Sequence, residues 1–414
     1  MSRQRSAVGA TPMPRAMPGR RVTHAPDYLL LTAVIVLAVI GLIAVYSSSY
    51  ALGETDYGDP NYFVKRQGVF LLAGIVVMLL AMRFPYHRLR GLSPLLMLAA
   101  VGGLMAVLLV GVEANGAQRW ITVGSLPPIQ PSEFAKFAVL IYMAAWLSAK
   151  GDVIHDFSLG VVPFVGMVGL IGALILAQPD LGTAIMVAAI TGTLFFVAGA
   201  RLFHVLVLTA TTLFGAAVLI ATGGYRMNRI TAFLDAESDP TGVGYHAIQM
   251  LVAFGSGGYT GLGLGVSRQK FFYVPGSHTD GILAILGEEL GYVGVSVVMA
   301  LFVVILARIF VIARRADTPF GSLIAMGAFA WIGFQMLINV GGVLRMMPLT
   351  GIPLPFVSYG GTALLMSFVA VGALLSVSRY ATIEVEQPAE VRGMRRPSTQ
   401  HPSQAGRAAM GGLR

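Results

Sequence analysis

The chain alternates long apolar stretches with short polar connections, and one polar segment is much longer than the others. Ten stretches approach the 20 or so residues that a helix needs to cross a bilayer. They lie near residues 28–50, 67–84, 92–112, 133–149, 157–177, 180–200, 202–222, 281–308, 320–343 and 359–379. The pattern predicts an all-α, polytopic membrane protein of about ten transmembrane helices, with a long extracytoplasmic loop, residues 223–280, between spans seven and eight.

Composition supports the membrane class. Of the 414 residues 56% are hydrophobic and 11% charged, and the mean hydropathy is +0.76. The first apolar run exceeds the core of a cleaved signal peptide and is interpreted as a retained span. The chain has no cysteine, which excludes disulfides, thiol catalysis and thiolate metal sites. Residues 1–27 and 381–414 are rich in Pro, Arg, Gly and Ser and are predicted to be disordered, basic cytoplasmic tails.

Lysine and arginine residues are spread unevenly over the two predicted membrane faces. With the N-terminus inside, nineteen of the 28 fall in the tails or inner loops, so both termini are predicted to be cytoplasmic. The other nine lie on the outer side: Lys65, Arg66, Arg119, Lys136, Arg226, Arg229, Arg268, Lys270 and Arg345. These outer cations suggest an anionic ligand on that face, whereas the inner charge suits anionic membrane lipids better than nucleic acid.

The long loop has features of an ordered, functional segment. Residues 245–254 carry apolar side chains at helical spacing and predict an interfacial helix. The glycine-rich turn 255–265 is weak as a nucleotide site, because no Gly-Lys-Ser/Thr follows it and no strand precedes it. At the end of the loop, His278 and Asp280 stand where span eight begins. Asp280 is either a helix cap or a catalytic carboxylate at the membrane boundary, and His278 favours the second interpretation.

Span eight also contains two acidic residues in the motif GEELG. Glu288 lies two helical turns beyond Asp280 and about 80° around the helix, whereas Glu289 falls on the opposite side. We therefore expect Glu288 to share a cavity with Asp280, and Glu289 to have a partner on another helix.

The motif IQPSEFAK places charges at the start of span four. Glu133 and Lys136 are three residues apart on one helical face, the spacing of an ion pair, and ionisable residues in a span are functional candidates by default. Ser132 is either the helix cap or part of the site, and Pro131 suits a first helical turn. Gln130 precedes them as a candidate substrate-binding residue.

Three further outer segments supply candidates. Asp180, in QPDLGTA, is either an N-cap or a carboxylate that orients Lys136. Trp120 is either an interface anchor or a platform for a sugar ring, and Arg119 precedes it. Arg226 and Arg229, in YRMNRITAFLD, suit a lipid diphosphate because guanidinium binds phosphate oxygens bidentately, although an ordinary charged turn is the alternative. Gln335 and Asn339 form an i, i+4 pair able to bond across helices, and the proline-rich segment after them is expected to form one wall of the site.

Several of these motifs together resemble one known family. GAQRWI, QPSEFAK, QPDLGTA, YRMNRITAFLD, GLGLGVSRQKFFYVPGSHTD with GEELG, and PLPFVSYGG occur in the order and spacing of the SEDS family (shape, elongation, division and sporulation). The resemblance covers essentially all of the chain between the tails and is stronger to division and sporulation members than to elongation members. The chain departs from the family pattern at Gly276, Gly281 and Thr362.

The resemblance implies a peptidoglycan glycosyltransferase. Such a protein polymerises lipid II on the outer face of the bacterial cytoplasmic membrane, here in septal wall synthesis during cell division, and works with a class B penicillin-binding transpeptidase and other divisome proteins. The family's essential loop aspartate corresponds to Asp280, and its buried polar set to Glu133, Lys136 and Asp180.

The expected reaction is a single inverting displacement at the anomeric carbon of a growing, undecaprenyl-diphosphate-linked glycan. Asp280 is the expected base. Lys136, Arg226 and Arg229, or a divalent cation such as Mg²⁺ or Mn²⁺, are expected to neutralise the leaving diphosphate, and no nucleotide is expected. The alternative is a lipid II flippase, which needs polar groups along a path through the membrane, whereas here they gather on one predicted face. We therefore expect the distant charged residues to converge in one outer pocket.

Overall fold

Helices dominate the computed structural model, which describes residues 24–114, 117–122, 124, 127–242 and 244–380. They are α1 (Tyr28–Tyr57), α2 (Tyr62–Arg83), α3 (His87–Val110), α4 (Pro131–Lys150), α5 (Val162–Leu176), α6 (Leu181–Val197), α7 (Leu202–Ala221), α8 (Gly224–Leu234), α9 (Tyr245–Ser256), α10 (Ile282–Arg315), α11 (Pro319–Val343) and α12 (Gly361–Arg379).

Within the described ranges, nine helices are long and apolar enough to cross a membrane, and α6, with 17 residues, is a shorter apolar helix at the remaining predicted position. The predicted all-α, multi-pass architecture is confirmed. Residues 1–23 and 381–414, which hold most of the predicted tails, lie outside the described residues.

The helices differ in how deeply they are packed. α4, α11 and α12 are the most buried of the long helices, and α2 packs against α12, α3 against α4, and α10 against both α1 and α11. No residue of α7 is buried. An apolar helix without protein cover is compatible with lipid contact, so α7 lies at the edge of the bundle and α4, α11 and α12 near its centre.

Small elements complete one end of the bundle. A hairpin of β1 (Val112–Ala114) and β2 (Ala117–Trp120) follows α3. The helix predicted for residues 245–254 is confirmed as α9. The region of Arg226 and Arg229 is the helix α8, which the sequence pattern did not predict, because its charged residues are typical of an open turn.

α10 is broken at Gly291, and the glycine-rich turn lies against the break. Gly291 has φ +65°, outside the helical range. Across the break, the backbone N–H groups of Leu262 and Gly263 donate to the carbonyls of Glu288 and Glu289, and those of Tyr292 and Val293 donate to the carbonyls of Gly258 and Tyr259, at 2.9–3.1 Å.

Close backbone packing explains the glycines of this turn. A Cβ on Gly257 would lie 1.9 Å from the Gly287 carbonyl oxygen, and one on Gly261 would lie 2.1 Å from that of Glu289. Since real side chains never approach so closely, these positions admit only glycine. The glycine-rich turn packs against a membrane helix, and its resemblance to a phosphate-binding loop is superficial.

Candidate active site

A cavity of about 460 Å³, here called the larger cavity, lies where α1 ends and where α2, α4 and α6 begin. Its walls include seven of the predicted site residues: Arg119, Trp120, Gln130, Glu133, Lys136, Asp180 and His278. The proline-rich segment after α11 contributes residues 350–353 to the same walls. The prediction that this segment forms a wall of the site is therefore confirmed.

Glu133 and Lys136 form a buried ion pair in the first turns of α4. The Lys136 Nζ lies 2.9 Å from the Glu133 Oε2, and only 3% and 6% of the two side chains are exposed. The ammonium group also lies 5.0 Å from the centre of the Trp331 ring, within the range of a cation–π contact. Lys136 thus faces the larger cavity with its positive charge already compensated.

Asp180 is both a helix cap and a cavity residue. Its Oδ1 accepts from the Thr183 backbone N–H at 3.1 Å, and its Oδ2 accepts from the Thr183 hydroxyl at 2.8 Å and from the Gln130 amide at 3.4 Å. The N-cap interpretation is confirmed, and the cap also borders the larger cavity. These bonds join the starts of α4 and α6.

Arg119 and Trp120 reach the larger cavity from the end of β2. The Arg119 Nε donates to the Gln178 carbonyl at 3.2 Å, and its Nη2 donates to the Pro179 carbonyl. The guanidinium therefore fastens the hairpin to the turn before α6, while the Trp120 ring lines the cavity.

A second cavity of about 220 Å³, the smaller cavity, holds Asp280. Arg229 of α8, His246 of α9 and Arg345, just after α11, line it as well. The Arg229 Nη1 donates to the Leu349 carbonyl at 2.9 Å, which ties α8 to the segment after α11. A carboxylate, an imidazole and two guanidinium groups therefore share one small cavity.

Asp280 is held by its neighbours but does not cap α10. The helix begins at Ile282, and its N-cap position, Gly281, makes no side-chain capping bond. The Thr279 hydroxyl donates to the Asp280 Oδ1 at 3.0 Å. The buried Asn339 amide donates both to the Asp280 carbonyl at 3.0 Å and to the Ile352 carbonyl at 2.9 Å. The capping alternative is thus wrong, and Asn339 makes the cross-element bond expected of it.

The structure divides the expected single pocket into two. His278 and Thr279 line the larger cavity, whereas the next residue, Asp280, lines the smaller one. Gly351 lies between them: it borders the larger cavity, yet a Cβ on it would point to the other side, 3.7 Å from the Arg229 guanidinium and 4.0 Å from the Asp280 Oδ2. The prediction that Asp280 shares a pocket with Lys136 and Asp180 is corrected to two adjoining cavities.

One histidine lies on each side of this partition. Burial lowers the pKa of His278 to about 4, and its ring packs 4.6 Å from that of Phe63. Burial also lowers the pKa of His246, although the Asp280 carboxylate opposes the shift. Both imidazoles are therefore neutral at pH 7, and in each one ring nitrogen, Nδ1 of His278 and Nε2 of His246, is buried without a partner among the described residues.

Comparison with known proteins decides the family. A family model described as cell cycle protein, which unites FtsW, RodA and SpoVE, matches residues 27–383. The chain belongs to this family. Stage V sporulation protein E of Bacillus subtilis is 43% identical over 86% of the chain and 98% of the relative. A probable peptidoglycan glycosyltransferase FtsW of Trichlorobacter lovleyi is 39% identical over 85% of the chain and 93% of the relative.

Solved structures of the family agree in fold. A chain of a peptidoglycan synthase complex, solved in work on how polymerization and crosslinking are coordinated, matches with a TM-score of 0.71 and 29% identity over 86% of this chain and 98% of that one. RodA of Thermus thermophilus matches with a TM-score of 0.65 and 28% identity over 86% and 99%. These matches confirm the predicted family and the predicted enzyme class, a glycosyltransferase.

The acidic pair of the GEELG motif anchors the long loop. The Glu288 carboxylate accepts from the Ser267 hydroxyl at 2.5 Å and from the Arg268 backbone N–H at 2.9 Å. Glu288 lines neither cavity, so the expectation that it shares one with Asp280 is wrong. The prediction assumed one continuous helix over residues 280–288, but α10 begins only at Ile282 and the loop packs against it through Ser267 and Arg268.

Glu289 has the expected partner on another helix. Its carboxylate accepts from the Ser47 hydroxyl of α1 at 2.7 Å and pairs with the Lys270 ammonium at 3.1 Å. Both charged side chains are at most 1% exposed. This pair fixes the loop to α1 and α10 ahead of the segment that carries Asp280.

Two predicted site residues have no visible role in the described part of the structure. Ser132 is the second residue of α4, whose first residue is Pro131 and whose N-cap is Gln130. The buried Ser132 hydroxyl has no partner among the described residues, so the capping interpretation is wrong. Arg226 belongs to α8, but its side chain lies outside the described part of the chain.

Four residues were missed as site residues. The larger cavity also contains Arg66, Tyr62 and Tyr359, and the smaller one contains His246. Arg66 was marked as an outer cation, whereas no pattern in the sequence marked the other three. Within the described residues, no three His, Asp or Glu side chains are grouped as metal ligands, and the involvement of a divalent cation stays a prediction.

Proposed function

We propose that this protein is a peptidoglycan glycosyltransferase that polymerises lipid II into β-1,4 glycan strands on the outer face of the bacterial cytoplasmic membrane. The observation that carries the proposal is that Asp280 and Arg229 line one cavity, which adjoins a larger one. A polymerase must hold two lipid-linked sugars side by side, one as donor and one as acceptor. Relatives named as probable peptidoglycan glycosyltransferases support this assignment.

The proposed reaction is a single displacement at the anomeric carbon of the donor. The 4-hydroxyl oxygen of the acceptor forms a bond to the anomeric carbon of the donor, and the bond from that carbon to the diphosphate oxygen breaks. The hydroxyl proton passes to Asp280, and the bonding electrons leave with undecaprenyl diphosphate. Inversion at the carbon converts an α-linked diphosphate into a β-1,4 bond in one step.

The described contacts prepare Asp280 for this role. The Asn339 amide fixes its backbone and the Thr279 hydroxyl fixes one carboxylate oxygen, so the base meets a substrate hydroxyl in a defined orientation. Arg229 shares the cavity and is suited to the charge that develops on the leaving diphosphate. We assign this task to Arg229 rather than to Lys136, whose charge Glu133 already compensates.

The cellular role follows from the same family. We propose that the protein acts in septal wall synthesis with a class B penicillin-binding transpeptidase and other divisome proteins. The similarity to a chain of a peptidoglycan synthase complex supports a transpeptidase partner. The excess of Lys and Arg in the predicted inner segments supports cytoplasmic termini, with anionic membrane lipids around the inner face.

The test separates a polymerase from a lipid II flippase. The purified protein is reconstituted in liposomes with labelled lipid II, with and without a transpeptidase partner, and both glycan formation and transfer of label between leaflets are measured. We expect glycan strands and free undecaprenyl diphosphate, without faster transfer between leaflets. Transfer without polymer in both preparations would favour the flippase. A titration with EDTA in the same assay tests the predicted divalent cation.

A further inference from the structure

An aromatic and cationic stack stands at the rim of the larger cavity. Tyr57 is the last residue of α1 and Tyr62 is the first of α2; their ring centres are 3.7 Å apart and the planes differ by 8°. Arg66 lies one turn further along α2, with its guanidinium carbon 4.3 Å from the centre of the Tyr62 ring. All three side chains line the cavity.

Further contacts hold the guanidinium group in place. The charge of Arg66 acts on the Tyr359 hydroxyl: burial raises the pKa of Tyr359, and the nearby guanidinium opposes that rise. Tyr359 also lines the larger cavity. The buried Phe63 ring packs edge-on against those of Tyr62 and Tyr359, with centres 5.2 Å apart in both pairs. A long, flexible side chain is thereby restricted before any ligand binds, which reduces the entropy lost on binding.

Arg66 is the cation of the larger cavity that has neither an ion pair nor a backbone carbonyl acceptor among the described residues. Lys136 is paired with Glu133, and the Arg119 guanidinium donates to two backbone carbonyls. Across the described ranges, no ion pair within 4.0 Å involves Arg66. Asp59, in the connection between α1 and α2, is already paired with Lys65, whose Nζ lies 2.7 Å from the Asp59 Oδ2.

We propose that Arg66 is the anion-binding residue of the larger cavity, where it binds a diphosphate or carboxylate group of the substrate while its stacking on Tyr62 holds it in position. The planar guanidinium fork matches both groups. The proposal rests on the proposed function for the identity of the substrate, though not for the existence of the anion site. It places an anion-binding guanidinium in each cavity, Arg66 for one lipid-linked sugar and Arg229 for the other.

The test measures binding without turnover. Two probes separate the sources of the anion: farnesyl diphosphate, which carries no carboxylate, and a soluble N-acetylmuramoyl peptide, which carries no phosphate. Binding to the purified full chain in detergent is measured by calorimetry for the wild type, Arg66→Gln, Arg66→Lys and Lys65→Gln. Lys65 is the matched control, because it is the adjacent cation and does not line the cavity.

Arg66→Gln should weaken binding of one probe about 10- to 100-fold, the usual worth of a charge-assisted hydrogen bond. Arg66→Lys should recover part of the loss, and Lys65→Gln should bind as the wild type does. The probe affected identifies the anion, and weakening of both makes the site a general anion site.

Three outcomes would overturn the proposal: wild-type affinity in Arg66→Gln, no binding of either probe by the wild type, or an equal loss in Lys65→Gln. If Arg66→Gln does not fold, the affinity of Arg66→Lys tests the proposal instead. Undiminished affinity of Arg66→Lys for both probes would exclude a site that depends on bidentate binding by the guanidinium. A protein that binds the probes through Arg66 but makes no polymer would disprove the proposed function and leave this inference standing.

Discussion

The two cavities differ in how many bonds their aspartates receive from the protein. In the larger cavity the buried Lys136 is paired with Glu133, and the buried Asp180 is satisfied by capping bonds. In the smaller cavity Asp280 lies beside Arg229 and His246, and only one of its carboxylate oxygens has a hydrogen bond among the described residues. The difference teaches that burial of charge alone does not mark the reacting group, because most of the buried charge here supports the site's shape.

The largest difference is expected when the same change is made in both cavities. Asp280→Asn should lower the rate of lipid II polymerisation about 10²- to 10⁴-fold, because it removes a base. Asp180→Asn should lower it less than about 10-fold, because asparagine is also a good N-cap. Polymer formed per minute is measured for both variants after their thermal transitions are matched to the wild type. Equal losses would mean that both cavities take part in the chemistry.

A second test asks whether the ion pair of the larger cavity is structural. Lys136→Met leaves Glu133 buried without a counter-charge and should cost about 3–5 kcal/mol of stability. The double variant Lys136→Met/Glu133→Gln should recover most of that loss, because no charge then stays buried. Thermal unfolding in detergent measures both. If the single variant is as stable as the double one, the ion pair does not support the fold.

The smallest effect concerns His278 in the wall of the larger cavity. Its folded pKa of about 4 lies below the ordinary value of 6.5, so the unfolded chain binds the proton more readily. Stability should therefore fall by at most about 3 kcal/mol as the pH drops from 6.5 to 4, and be fully retained above 6.5.

His278→Phe keeps an aromatic ring in the same pocket and should flatten this dependence. The midpoint of thermal unfolding, followed between pH 4 and 7.5 for both proteins, checks it. An unchanged slope in the variant would show that other groups cause the loss.

Much of the fold could be predicted because the bilayer imposes strict rules on sequence. A span needs about 20 apolar residues, so the hydropathy pattern placed all ten apolar helices, including the short α6. The same rule made Glu133, Lys136 and Asp180 conspicuous, since charge is costly in a span. All three line the larger cavity.

The division of the site could not be predicted. Whether Asp280 faces the same cavity as His278 depends on the path of the loop before α10, and neither local spacing nor composition determines that path. Glu288 was misplaced because its carboxylate turns towards the loop backbone. Arg66 was marked only as an outer cation, because the cavity that it lines brings it together with Tyr359 and other residues that lie far away in the sequence.

The break in α10 at Gly291 lets the polar loop pack against the helix well beyond the start of that helix. The loop meets the helix between Glu288 and Val293, which is about 9 to 17 Å beyond its start at the rise of 1.5 Å per residue. Polar backbone groups are tolerated at such a depth because the loop and the helix donate hydrogen bonds to each other. The glycine-rich part of the loop is thus packed into the helix bundle, and Asp280, which follows it in the sequence, is held on that bundle.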